Sequence, residues 1–176
     1  MVDMLKLRWK KKLMSELKGT KALDKSINSW LKKNGFDVDA SLHTDFCYDE
    51  MEEKIYYGLF ITENAEEVWK DLLAKWGLKT YYDTFVTCFL HELGHHYTLH
   101  LCSNFEYNFS MIMKFILKLI PSNTIQNKIY YSLPIERIAT KWAINYMNEH
   151  PKETTELQKR AKKSIEKFLK DNGYEE

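Results

Sequence analysis

The stretch TCFLHELGHHYTLHLC, residues 87–102, places four of the six histidines of the chain within ten residues. Each residue of an α-helix turns by about 100°, so His91 and His95 would lie about 40° apart and could direct two imidazoles at one ion. Glu92 would lie about 100° round from His91, close enough to hold a water molecule on that ion without binding the ion. The spacing predicts a zinc site with Glu92 as general base.

The helix predicted over residues 81–101 is otherwise apolar and should lie inside the fold. A buried pair of histidines needs polar partners, which a metal ion would supply. The competing interpretation is a metal-free helix whose His-Glu-x-x-His spacing arose by chance. A catalytic zinc takes three protein ligands and keeps one position open. Leu101 stands where the metzincin pattern has its third histidine, and His100 would point away from His95, so the third ligand must lie elsewhere.

We predict that the third ligand is Glu136, in LPIERIATKWAINYM, residues 133–147. Apolar residues form one stripe of the helix predicted over 134–148, and Glu136 lies about 20° beyond Ala143 at its edge. The small residues Ala139 and Ala143 would let this helix pack closely on the histidine helix and bring the carboxylate to bonding distance. The alternative is that Glu136 lies at the protein rim, in the first turn of its helix. Its negative charge would there stabilise the helix by interacting with the helix dipole.

Composition favours one globular domain over residues 1–176. The chain is 44% hydrophobic, and its 26 Lys and Arg against 25 Asp and Glu give a net charge of +1, so a nucleic-acid partner is not expected. Three cysteines without CxxC spacing argue against disulfides, and residues 1–17 do not resemble a signal peptide, so we expect a cytoplasmic protein. The apolar run 109–120 is too short to span a bilayer. It predicts a core helix, with an interfacial membrane helix as the less favoured alternative.

The element pattern predicts a predominantly helical α+β fold with a small antiparallel sheet and an HExxH helix. The domain divides into basic N-terminal helices within 1–34, a β-hairpin over 36–62, catalytic helices within 63–149 and a C-terminal helix over 151–173. The predicted helices are 4–18, 22–33, 64–77, 81–101, 109–120, 134–148 and 151–172. Alternating apolar and β-branched residues predict a strand over 54–62, with 38–48 as its antiparallel partner.

The motifs HELGH, at 91–95, and ERIATKWA, at 136–143, together resemble the ImmA/IrrE-type zincin metallopeptidases of bacteria, phages and mobile elements. The resemblance implies a gluzincin-like site in which His91, His95 and Glu136 bind Zn²⁺ and Glu92 is the general base. It also implies an edge strand that pairs with an extended peptide substrate. The candidate residues of that strand are Ile55, Tyr57, Leu59 and Ile61. A protein substrate such as a repressor or another regulator would fit this family.

The chain departs from the family pattern at two points. Ile138 and Thr140 stand where the family has a second acid and an asparagine, so the partners that would orient the histidines are not apparent. Glu136 follows His95 by 41 residues, and the insertion 105–132 fills much of this interval. Other zincins with an E-x-x-A motif, including membrane-associated ones, therefore remain open as relatives.

A zincin also needs a hydrogen-bond donor for the developing oxyanion. The candidates are Tyr97, His100, Tyr130 and Tyr131. We expect a zinc-dependent peptidase that cleaves a specific protein substrate. The alternatives are a zinc-binding regulatory or interaction protein that retains the fold without proteolysis, and a metal-free helical binding protein. Neither the substrate nor the oligomeric state follows from the residues.

Overall fold

The computed structural model describes residues 19–59, 81–120 and 123–172. Within these ranges the chain is mostly helical with one small sheet, which confirms the predicted α+β class. The elements are α1 Thr20–Lys33, β1 Asp39–Leu42, β2 Cys47–Asp49, β3 Lys54–Tyr57, α2 Tyr81–Thr98, a 3-10 turn Leu99–Leu101, α3 Asn104–Leu117, α4 Asn123–Tyr130, α5 Pro134–Glu149 and α6 Pro151–Asp171. The helices predicted over 4–18 and 64–77 lie outside the described residues.

The sheet differs from the predicted antiparallel hairpin. The three described strands are ordered β1-β3-β2; β1 runs parallel to β3, and β2 runs antiparallel to it. The predicted strand 38–48 is therefore two strands, separated by a turn over 43–46 that crosses the end of β3. Gly58 permits this crossing, because a Cβ there would lie 2.9 Å from the carbonyl oxygen of Thr44.

The edge-strand prediction is wrong for Ile55 and Tyr57. Both belong to β3, which is hydrogen-bonded to a strand on each side, and both side chains are fully buried. Leu59 is buried beyond the end of β3 and outside any strand, and Ile61 lies outside the described residues. The alternating pattern identified a strand correctly, but it could not distinguish a central strand from an edge, because both bury one face.

Helix α1 covers the outer edge of β1. The amide of Asn28 both donates to the Ala40 carbonyl and accepts from the Ala40 amide, each at 2.7 Å, as a neighbouring strand would do. One turn earlier, Asp24 accepts from the backbone of Leu42 at 2.7 Å and from the hydroxyl of Tyr57 at 2.6 Å. Of the described strands, β2 is therefore the one whose outer edge is not covered by α1 or by another strand.

A hydrophobic core lies between α1, α2, α6 and the sheet. Leu23, Ile27, Trp30 and Leu31 follow the spacing of one helical face, and all four are buried. The Trp30 ring packs edge-on against Phe89 of α2, and its Nε1 donates to the carbonyl of Glu153 at 3.0 Å. The Trp30 ring thus has apolar contacts, and its polar N–H group has a hydrogen-bond acceptor. Burial of Trp30 therefore requires no ion or ligand.

Among the described helices, the most extensive contact joins α2 to α5. Gly94 makes it close, because a Cβ there would lie 2.6 Å from the carbonyl oxygen of Ala139. The sequence predicted such a close approach from Ala139 and Ala143, which are both buried in this contact. Since Gly94 lies one residue before His95, the contact that Gly94 allows also sets the distance between the HExxH segment and the first turn of α5.

The insertion between the motifs forms two helices. Helix α3 begins at Asn104 rather than 109, because Ser103 and Glu106 form a capping box. Helix α4 was not among the predicted helices. Helix α3 packs on α4 and α5, while its opposite side exposes several large apolar side chains. These are Phe105, Phe109, Ile112, Phe115 and Ile116. None of the helices in the described ranges combines the length and hydropathy that a membrane span requires.

Candidate metal centre

The three predicted ligands converge between α2 and α5. His91 Nε2 lies 3.2 Å from His95 Nε2 and 2.9 Å from Glu136 Oε2, and His95 Nε2 lies 3.4 Å from the same oxygen. In a tetrahedral zinc site with bonds of about 2.0–2.1 Å, ligand atoms are separated by about 3.3 Å. The separations of all three pairs are close to this value. The group could therefore hold a metal ion.

All three side chains are buried: His91 is 6% exposed, His95 8% and Glu136 0%. The alternative interpretation of Glu136 as a rim residue is wrong. Burial alone would raise the pKa of Glu136, but hydrogen bonds from His91 and His95, together with nearby positive charge, outweigh it and hold that pKa well below its usual range. Glu136 is thus a carboxylate kept ionised in a buried position, which is the state that a metal ligand requires.

Thr140 supplies the hydrogen-bond partner that the motif comparison did not reveal. Its Oγ1 lies 3.1 Å from His91 Nδ1, one helical turn after Glu136 on the same helix. When Nδ1 carries the proton and donates it to Thr140, the lone pair of Nε2 is free for an ion. When Nε2 donates to Glu136 instead, the threonine hydroxyl can donate to Nδ1. Thr140 therefore orients His91 in either tautomer.

Glu92 lies beside the three ligands without being one of them. The charges of His91, His95 and Glu136 all act on its pKa, and the backbone amide of Tyr48 in β2 donates a hydrogen bond to it. Burial raises the pKa of Glu92 above its usual value, and this effect exceeds the lowering by the two histidines and by Tyr48. A carboxylate of raised pKa next to a group that could hold a metal is suited to taking up and releasing a proton.

The four candidate oxyanion donors separate into two pairs. Tyr97 stacks on Trp142 and is hydrogen-bonded to Asp37, and His100 is exposed in the 3-10 turn, so neither is brought to the three ligands. Tyr130 and Tyr131, at the end of α4, lie near them. Burial raises the pKa of both phenols, and the charges of Glu136 and Glu92 raise it further.

Lys114 of α3 was not predicted as part of the site. Its Nζ lies 2.6 Å from Glu136 Oε1, the oxygen that does not face the histidines. The only signal in the sequence was that Lys114 interrupts the apolar run 109–120. The Nδ1 atom of His96 lies 3.1 Å from the hydroxyl of Tyr48, so His96 connects α2 to β2.

Comparison with protein-family models, curated proteins and solved structures finds no match to the chain. The relation to known proteins therefore rests on the residues themselves. His91, His95 and Glu136 form a buried group that resembles the HExxH and distant glutamate of a zincin, within a mostly helical fold. Such a group defines a possible metal centre, with the carboxyl group of Glu92 and the phenol of Tyr130 next to it.

Proposed function

We propose that the chain is a zinc-dependent peptidase with a zincin-like site. The observation that carries the proposal is the convergence of His91, His95 and Glu136, from two helices, at the separations of a tetrahedral zinc site. Two imidazole nitrogens and one carboxylate oxygen form a donor set that suits zinc and leaves a coordination position open. Zinc bound there would polarise a peptide carbonyl and acidify a water molecule.

Glu92 is the proposed proton carrier. Its carboxylate takes a proton from the attacking water and returns it to the leaving amine, and its raised pKa brings it nearer to the working pH. Tyr130 is the proposed donor to the oxyanion, because it lies near Glu136 and burial keeps its hydroxyl protonated. Glu92 belongs to α2, the helix that carries the two histidines, and Tyr130 belongs to α4.

We place the peptide substrate along β2 rather than β3. Among the described strands, β2 is the one whose outer edge neither α1 nor another described strand covers, and the backbone amide of Tyr48 in β2 is directed towards Glu92. An extended peptide that adds to this edge would bring its carbonyl group close to the proposed catalytic carboxylate. With only three residues, Cys47–Asp49, the strand offers few backbone hydrogen bonds. We therefore expect a specific protein substrate, such as a regulator, rather than peptides in general.

The second candidate function is a zinc-binding interaction protein without proteolysis. The hydrogen bond between Tyr48 and Glu92 favours it, because this bond occupies the carboxylate that would act on water. The exposed apolar side of α3 would also suit a protein that works by contact. Both candidates share the three-ligand centre, and they differ in whether Glu92 is needed.

Glu92→Gln distinguishes the two candidates. The wild-type chain and the variant are incubated with a proteome-derived peptide library and with intact protein extract, and new termini are identified by mass spectrometry. A peptidase should produce termini in the wild type that Glu92→Gln lacks, while both chains bind about one zinc. The exposed Glu149→Gln, which also removes one carboxylate from a helix, should retain cleavage. Zinc binding with no cleavage in the wild type in either assay would favour the interaction protein.

A further inference from the structure

Helix α3 contributes one charged side chain to the candidate centre, and the contact is with a ligand rather than with the ion position. Lys114 Nζ lies 2.6 Å from Glu136 Oε1, in the geometry of an ion pair rather than of an aligned hydrogen bond. Glu136 is fully buried, whereas the Lys114 side chain is 28% exposed. The lysine is therefore partly exposed to solvent, while its ammonium group reaches the buried carboxylate.

Neighbouring residues hold Lys114 in this place. Ser110 and Leu117, one turn before and one turn after it, are both buried on the side of α3 that packs against α4 and α5. The Lys114 ammonium also lies 5.2 Å above the ring of Tyr130, at a cation–π distance. Lys118, which follows the last residue of α3, is exposed instead. The two lysines thus differ in environment, although both interrupt the same apolar run.

The two oxygens of Glu136 have different partners as a result. Oε2 faces the imidazoles of His91 and His95, while Oε1 faces Lys114. A carboxylate with one oxygen held by a cation cannot turn freely, and it presents the other oxygen alone to a bound ion. Partners of this kind orient the groups that bind metals and affect metal affinity through them.

We propose that Lys114 is a positioning residue of the metal centre, which fixes Glu136 so that Oε2 alone serves as ligand. The inference rests on the proposed function and goes beyond it, because it assigns a structural role at the metal centre to the insertion 105–132. The inserted helix supplies the cation that completes the site. Lys114 acts through Glu136, since its described contacts are with that carboxylate and with the Tyr130 ring.

The test compares Lys114→Met with Lys118→Met, which removes the same charge four residues further along the chain, at the residue that caps the C-terminus of α3. Zinc affinity is measured by competition with a chromogenic chelator. We expect Lys114→Met to bind zinc about 10–100-fold more weakly, the usual loss when the partner of a metal ligand is removed. Lys118→Met should bind like the wild type, and Lys114→Arg should recover part of the loss because it restores the charge.

Cobalt substitution provides a readout that a general loss of stability would not change. The visible spectrum of Co²⁺ depends on the number and geometry of its ligands. Lys114→Met should alter this spectrum, because Glu136 becomes free to turn, and Lys118→Met should leave it unchanged. In the background of Glu136→Gln, adding Lys114→Met should weaken zinc binding no further, since the carboxylate that Lys114 holds is already absent.

The outcomes separate this proposal from the proposed function. If the wild type binds zinc and Lys114→Met binds it as tightly as Lys118→Met does, or more tightly, the role of Lys114 is overturned and the metal centre stands. If the wild type itself binds no zinc, both proposals fall together. Should Lys114→Met fail to fold, Lys114→Gln, which keeps a polar side chain of similar reach, decides the matter by the same comparison.

Discussion

The two sides of helix α2 bury their side chains in different ways. On one side, Phe85 and Phe89 stack on each other and pack against Trp30 and Tyr57, so apolar contact is sufficient for their burial. On the other side, imidazoles lie next to a fully buried carboxylate. Ionisable groups removed from water destabilise a fold unless they bind each other or an ion. The aromatic side of α2 therefore contributes to the stability of the fold, whereas the histidine side is the candidate functional site.

The largest expected effect on stability is on the apolar side. Trp30→Ala removes a fully buried ring and should lower the free energy of unfolding by about 3–5 kcal/mol. The loss should be the same with and without zinc, because Trp30 has no contact with the metal ligands. Urea denaturation of both chains, with metal and with a chelator, measures this. A loss that appeared only in the presence of zinc would show that the two sides of α2 are not independent.

Gly94→Ala tests the packing that joins the two sides. A Cβ at 94 meets the Ala139 backbone at 2.6 Å, so α2 and α5 must separate, and we expect a loss of about 1–3 kcal/mol together with weaker zinc binding. Gly35→Ala is the matched control. Its φ of 78° makes a side chain unfavourable, but no atom lies within 4 Å of the added Cβ.

Gly35→Ala should therefore destabilise the chain by about 1 kcal/mol through backbone strain and leave zinc affinity unchanged. Thermal denaturation and chelator competition on the two variants give both quantities. Equal zinc affinities in Gly94→Ala and Gly35→Ala would contradict the view that close packing at Gly94 sets the position of Glu136.

The smallest expected effect concerns Thr140. Thr140→Val keeps the shape of the side chain but removes the hydroxyl that bonds His91 Nδ1, so zinc affinity should fall by about tenfold while stability changes by less than about 1 kcal/mol. Thr155→Val, at an exposed position in α6, should change neither quantity beyond error. If Thr140→Val bound zinc like Thr155→Val, the orientation of His91 would not depend on this hydrogen bond.

The sequence predicted the part of the site that depends on local geometry. His91, Glu92 and His95 are fixed relative to one another by the helix alone, and α2 confirms their arrangement. Glu136 was predictable because small residues on the same stripe indicated close helix packing. Residues whose importance depends on distant contacts were missed: Lys114 pairs with a ligand on another helix, and Thr140 gave no sign that its hydroxyl would reach His91.

The sheet shows the same limit. Alternation identified β3, but the order of strands depends on which segments meet in space, and neither the parallel pairing of β1 nor the central position of β3 leaves a local pattern. Asn28 and Asp24 cover the edge of β1 from a helix twelve or more residues away. Helix α4 was missed because it has only eight residues, and a segment that short is below the length at which a helical pattern can be identified from the sequence.

The central claim is that a metal ion binds between α2 and α5, held by His91 and His95 of α2 and by Glu136 of α5. Elemental analysis of protein purified without a polyhistidine tag or added metal tests it most directly, with His95→Ala and Glu136→Ala alongside the wild type. The account predicts about one zinc per wild-type chain and little or none in either variant. No metal in the wild type, even after zinc is supplied, would contradict it and leave the three side chains as a buried hydrogen-bonded group.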